Sequence, residues 1–176
     1  MNSELYRIVE LEEKKEFDTA FKSYKNLYDK NRDNFEVWKH FYFFLWIIIE
    51  KMPNEFVEKI NRENRLRKMY LEGKENFSSN AEFNFIVGYT MSIFPYEFGD
   101  YEAYEKVSAD LLKNAINIDS ENPIYKMVYF ANLKDQDSEY EELRLKSLPF
   151  ILKKYSGIGL LNKYFEQVLN RVKKQV

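Results

Sequence analysis

The chain has 176 residues, 45% of them hydrophobic and 32% charged, with a formal net charge of −2. That length points to one domain with a real core, burying roughly 70% of its unfolded surface, and that hydrophobic share excludes a disordered chain. A pI of about 5.7 lacks the basic surplus of a dedicated nucleic-acid binder, and the absence of cysteine removes disulfides and thiolate metal sites.

The first residues, Met1 to Tyr6, carry neither the basic nor the apolar segment of a signal peptide. With the lack of cysteine, this makes a reducing, cytoplasmic setting the expectation. A first helix is predicted from about Ser3 to Lys14, with Ser3 as cap and Leu5, Ile8, Val9 and Leu11 on its apolar face. A second runs from about Phe17 to Lys30, where Phe17, Ala20, Phe21, Tyr24, Leu27 and Tyr28 recur in steps of three and four and form one stripe. Asn31 to Asn34 end it. The third, about Phe35 to Lys51 with Asn34 as cap, is apolar nearly all round and should be covered on both sides. Its run from Phe41 to Ile49 falls far short of the ~20 apolar residues that cross a bilayer.

Pro53 stops that helix, since its ring fixes φ and removes a donor. A charged helix from about Asn54 to Glu72 follows, with Phe56, Val57, Ile60, Leu66, Met69 and Tyr70 facing inward. Gly73 to Asn80 reads as a loop. A fifth helix, about Ala81 to Phe94, holds Gly88 in its interior, where a neighbouring helix can approach closely. Pro95 to Asp100 breaks the chain again. The sixth helix covers about Tyr101 to Ile118 and the seventh, opened by Pro123, about Ile124 to Leu133. A turn at Lys134 to Ser138 precedes an eighth helix, about Glu139 to Tyr155, in which Pro149 should force a kink or a split. A last helix spans about Leu160 to Lys174 after Gly157 and Gly159.

Eight or nine helices on short connections predict an all-α fold of antiparallel helix pairs in a single domain, residues 1–176. Phe17, Ala20, Tyr24 and Leu27, then a polar turn and Trp38, resemble the second helix of a tetratricopeptide repeat leading into the next one, at the family's period of roughly 34 residues. Ala115 to Tyr125 (AINIDSENPIY) resembles the turn between two such repeats. The family's usual first-helix glycine is absent near Tyr42, and 73–100 follow no clear repeat. The resemblance implies a tetratricopeptide-like stack that displays a protein-binding surface.

Catalytic signals are lacking. His40 is the sole histidine and sits in the most apolar helix, where a packed imidazole is the simplest reading. There is no nucleophile elbow, phosphate loop or dinucleotide fingerprint, and one histidine without cysteine cannot build the usual zinc sets. The expectation is a non-enzyme with no cofactor and no metal. Tyr96, Glu97, Asp100, Tyr101, Glu102, Tyr104, Glu105 and Asp110, with Phe98, interleave acids and rings. Such a mixture suits a basic protein surface through steering and charge-assisted hydrogen bonds. Asp135, Asp137, Glu139, Glu141 and Glu142 form a second acidic cluster. Arg62, Arg65, Arg67 and Lys68, and further on Arg171, Lys173 and Lys174, read as solvated basic faces.

A small acidic, cysteine-free, aromatic-rich chain of this kind is similar in type to immunity proteins of bacterial toxin–immunity pairs, including contact-dependent growth inhibition systems. That likeness implies a protein partner, a basic nuclease-type toxin domain, with the Tyr96–Asp110 region as contact surface; the charge balance argues against a nucleic-acid partner and the short apolar run against a membrane role. The alternatives are a tetratricopeptide-like adaptor or secretion chaperone holding an extended peptide, and, less favoured, an RNA-binding helical protein using Arg62 to Lys68.

Overall fold

The computed structural model of the protein describes residues 3–131 and 137–170, the backbone alone at 137–139. The described chain is all-α and contains no strand. Its helices are α1 (Ser3–Glu13), α2 (Phe17–Lys30), α3 (Phe35–Ile47), α4 (Asn54–Lys59), α5 (Arg62–Phe77), α6 (Ala81–Ile93), α7 (Tyr101–Ile118), α8 (Pro123–Ala131), α9 (Asp137–Lys154) and α10 (Leu160–Leu169). Short 3-10 turns occupy Ile48–Glu50 and Pro95–Glu97. The chain divides into two compact units, one of residues 1–44 and 146–176 and the other of residues 45–145.

In the first unit, the predicted stripe of α2 is the buried one, from Phe17 through Ala20, Phe21, Tyr24 and Leu27 to Tyr28. Asn34 starts α3 as foreseen, its Oδ1 accepting from Val37 N at 3.2 Å. The Phe41 ring meets Phe21, Tyr24 and Tyr28 at centroid distances of 6.1, 5.5 and 5.9 Å. Ring pairs of this kind add about 0.5–1.5 kcal/mol beyond their buried area. Trp38 stacks on Tyr42, and Phe165 of α10 meets both Phe43 and Tyr155. Every residue from Val37 to Phe44 is buried. Lys39 survives there because its ammonium reaches Glu36 Oε1 at 2.7 Å and sits over the Phe35 ring. His40 is buried too.

In the second unit, α6 supplies the centre: Phe83, Phe85, Ile86, Val87 and Met91 are fully buried. Asn80 caps it, its Oδ1 accepting from Glu82 N (2.8 Å) and Phe83 N (3.2 Å). Gly88 lets α7 approach, since a Cβ there would lie 2.9 Å from Leu112 Cγ and 3.0 Å from Leu112 N. Further out, α7 packs on α8 and α5 on α6. No helix of the described residues is long and apolar enough to cross a membrane.

Several boundaries differ from the sequence expectation. The fourth helix is two, because Asn61 adopts a left-handed conformation (φ 49°, ψ 50°) that a short amide side chain tolerates. The expected loop after Glu72 is helical through Gly73 to Phe77. Glycine weakens a helix by about 1 kcal/mol, but Leu66, Met69, Tyr70 and Phe77 share its buried stripe and outweigh that. Helix α9 runs through Pro149 without splitting. Pro149 and Leu145, whose carbonyl loses its donor, are both exposed, so no unmet group is sealed in the core. The predicted ends at Leu133 and Lys174, Asp135, the side chains of Asp137 and Glu139, and Arg171, Lys173 and Lys174 lie outside the described residues.

Candidate functional site

The second unit carries the acid- and tyrosine-rich segment on the 3-10 turn Pro95–Glu97 and the first three turns of α7. Its residues fall into two groups. Tyr96 and Tyr101 are 57% and 53% exposed, and Glu102, Glu105 and Asp110 are exposed as well. Glu97 and Phe98 are buried and Tyr104 is half-buried. Asp100 is exposed and locally engaged: as N-cap of α7 its Oδ1 accepts from Ala103 N at 2.9 Å. Helical geometry places Glu102 and Glu105 on one exposed side with Tyr101, while Asp110 lies two turns further along. Lys106 and Lys113 are exposed on the same helix, so this face mixes signs and is not purely acidic.

What shapes the turn is a buried ion pair. Arg62, 2% exposed, sends Nη1 to Glu97 Oε2, Nε to Leu45 O at 2.7 Å and Nη2 to Trp46 O at 3.2 Å. The two carbonyls belong to the last turn of α3, where the helix passes into the 3-10 turn. One guanidinium thus caps α3 and anchors the carboxylate of the Tyr96 turn. Arg67 adds a second tie, its Nε donating to Glu97 O at 3.0 Å. Beneath the turn, Tyr70, Phe98 and Tyr104 form a ring cluster with centroids 6.0–6.5 Å apart. Burial, and then the neighbouring Tyr104, raise the pKa of the Tyr70 phenol.

The basic residues of α5 are therefore not one solvated face. Arg62 points inward, Arg65 Nε donates to Ile60 O at 2.6 Å, Arg67 bridges to Glu63 and the turn, and Lys68 lies 3.8 Å from Glu72. Arg62 falls on the apolar register that includes Leu66, Tyr70, Gly73 and Phe77, and a charged residue at such a position was the one signal in the sequence that it is structural. An open groove of about 310 Å³ lies beside the pair, with Ile49, Val57, Glu58 and Asn61 among its walls. Its one arginine is paired with Glu97, and Glu58 and Glu63 are its other charged lining residues. Among the described residues no group of three or more histidines and carboxylates is placed to hold a metal ion.

Comparison with known protein families, characterised proteins and solved structures yields no match.

Proposed function

We propose that this chain is a protein-binding module whose contact surface is the ridge formed by Tyr96, Tyr101, Glu102 and Glu105. The observation that carries the reading is two half-exposed tyrosines, Tyr96 on the 3-10 turn and Tyr101 opening α7, with the turn tied by Arg62 and Arg67 and packed beside a ring cluster. Tyrosine is the residue of choice for such an anchor, offering large rigid area and a hydroxyl at little entropic cost. A turn fixed before binding loses little further freedom on docking, and this is the usual route to affinity without a large interface. Glu102 and Glu105 bias the partner toward basic surfaces and raise the encounter rate. Glu97 and Tyr104 serve this surface by shaping it, and Asp100 by starting α7.

The partner class that fits best is a basic toxin domain, which this chain would bind and neutralise in the cytoplasm in the manner of an immunity protein. The test is co-expression and pull-down with the product of the adjacent gene, with growth rescue scored in parallel. Binding with rescue supports the reading. Binding without rescue leaves an adaptor, and neither outcome together with no effect of Y96A/Y101A on any recovered partner removes it. Charge reversal at Glu102 and Glu105 should weaken the complex about tenfold or more at low salt and flatten its salt dependence. Unchanged affinity would displace the contact surface from this ridge.

A further inference from the structure

The first unit contains a second, unrelated polar arrangement. Glu12, at the end of α1, is 4% exposed, and both of its carboxyl oxygens are engaged. Oε1 accepts from the Tyr24 hydroxyl of α2 at 2.8 Å, and Oε2 accepts from Leu160 N, the first amide of α10, at 2.8 Å. Its neighbour Glu13 accepts from Gly159 N at 2.9 Å and pairs with Lys163. Gly159 stands at the N-cap of α10 and supplies no side-chain cap. Two adjacent carboxyls nearly 150 residues away in sequence replace one. The approach is tight: Gly159 has φ 96°, and a Cβ there would lie 2.4 Å from Val9 Cγ1 and 2.9 Å from Glu12 Oε2. Only glycine lets the two carboxyls reach the amides.

We propose that Glu12 is a proton-controlled clasp that holds the start of α10 on α1 in its neutral form and loosens when it ionises. The geometry separates the two carboxyls. Glu13 faces Lys163 near solvent, and that bond first, then the Gly159 amide, holds its pKa low. Glu12 faces Glu13 on its own helix, the Tyr24 phenol from α2 and a backbone amide from α10, and none of these is a cation. The one lysine of α10, Lys163, is taken by Glu13. Burial dominates and raises Glu12 from 4.5 to about 7 despite the two hydrogen bonds that favour its charged form. In the neutral state the carbonyl oxygen still accepts from Leu160 N while the acid hydroxyl and the Tyr24 hydroxyl share one hydrogen bond. Ionisation leaves a charge in a dry site, and opening the clasp hydrates it.

Because the folded group binds its proton more tightly than the unfolded one, its contribution is fully present below about pH 4.5 and is lost as pH rises through about 7. Glu13 behaves oppositely, its contribution vanishing only as pH falls below the ordinary carboxylate range. Each pH unit of displacement is tenfold in equilibrium, so the opening constant should grow on the order of a hundredfold between pH 5 and pH 8.

The experiment is hydrogen exchange of the Gly159, Leu160 and Leu161 amides, corrected for intrinsic rate, across pH 5 to 8 in the wild type and in Glu12→Gln. Gln keeps an acceptor for Leu160 and a donor for Tyr24 but cannot ionise. Wild-type protection should fall steeply with pH while Glu12→Gln stays flat, and Glu13→Gln should retain the wild-type slope. His40 and every other group outside position 12 are present in wild type and in Glu12→Gln alike, so a slope common to all three proteins overturns the clasp. Flat protection in the wild type overturns it without reference to any variant.

Discussion

Replacing Arg62 with methionine removes a side chain that reaches Leu45 O, Trp46 O and the Glu97 carboxylate at once. The change leaves Glu97, 8% exposed, as a buried charge without its partner. Breaking a buried pair by deleting one member typically costs about 3–5 kcal/mol, against a total stability of roughly 5–15 kcal/mol. Glu97→Gln removes the opposite charge but keeps an oxygen for Nη1, so its cost should be smaller, about 1–3 kcal/mol. Combining the two eliminates both charges. The double variant should then be less damaged than the sum of the singles by about 1–3 kcal/mol. It should not regain wild-type stability, because the two carbonyls at the end of α3 still lack their donor. Urea unfolding followed by far-UV circular dichroism reads all four corners of the cycle. Additive losses, or a loss below about 1 kcal/mol for Arg62→Met, would refute the claim that this pair braces the Tyr96 turn.

Gly88→Ala gains about 1 kcal/mol of helix propensity but drives a methyl against Leu111 and Leu112 of α7, which typically costs about 1–3 kcal/mol. A net loss in thermal stability is expected, with Gly88→Val markedly worse; a rise in melting temperature for both would show that α6 and α7 are not in close contact there. Asn80→Ala and Asp100→Ala should each destabilise by about 1 kcal/mol through loss of a cap, whereas Asp100→Asn should be close to neutral because the amide oxygen still accepts from Ala103 N. Equal effects of Asp100→Ala and Asp100→Asn in chemical denaturation would assign Asp100 to charge and not to capping.

The helices were largely readable in advance because the signals that make them are local. Alternation in steps of three and four marked the buried stripe of α2 residue by residue, Asn34 marked the start of α3, Pro123 that of α8, and Gly88 the close approach to α7. The exposed members of the candidate surface were legible in the same way, as rings and acids in a segment too polar to be core. Glu97 was read with them, and nothing within a few residues of it distinguishes it from Glu102.

What the amino-acid order alone determined is therefore the helical class, most element boundaries and the apolar faces, since hydrogen-bond periodicity and side-chain spacing act over one or two turns. Tertiary structure decided which polar groups are turned inward. Arg62 meets Glu97 across 35 positions and Glu12 meets Leu160 across 148. Only the folded chain brings such groups together and removes the water that would otherwise solvate them, so the burial of Glu12 and the Arg62–Glu97 tie beside Tyr96 are set by tertiary structure and not by local sequence.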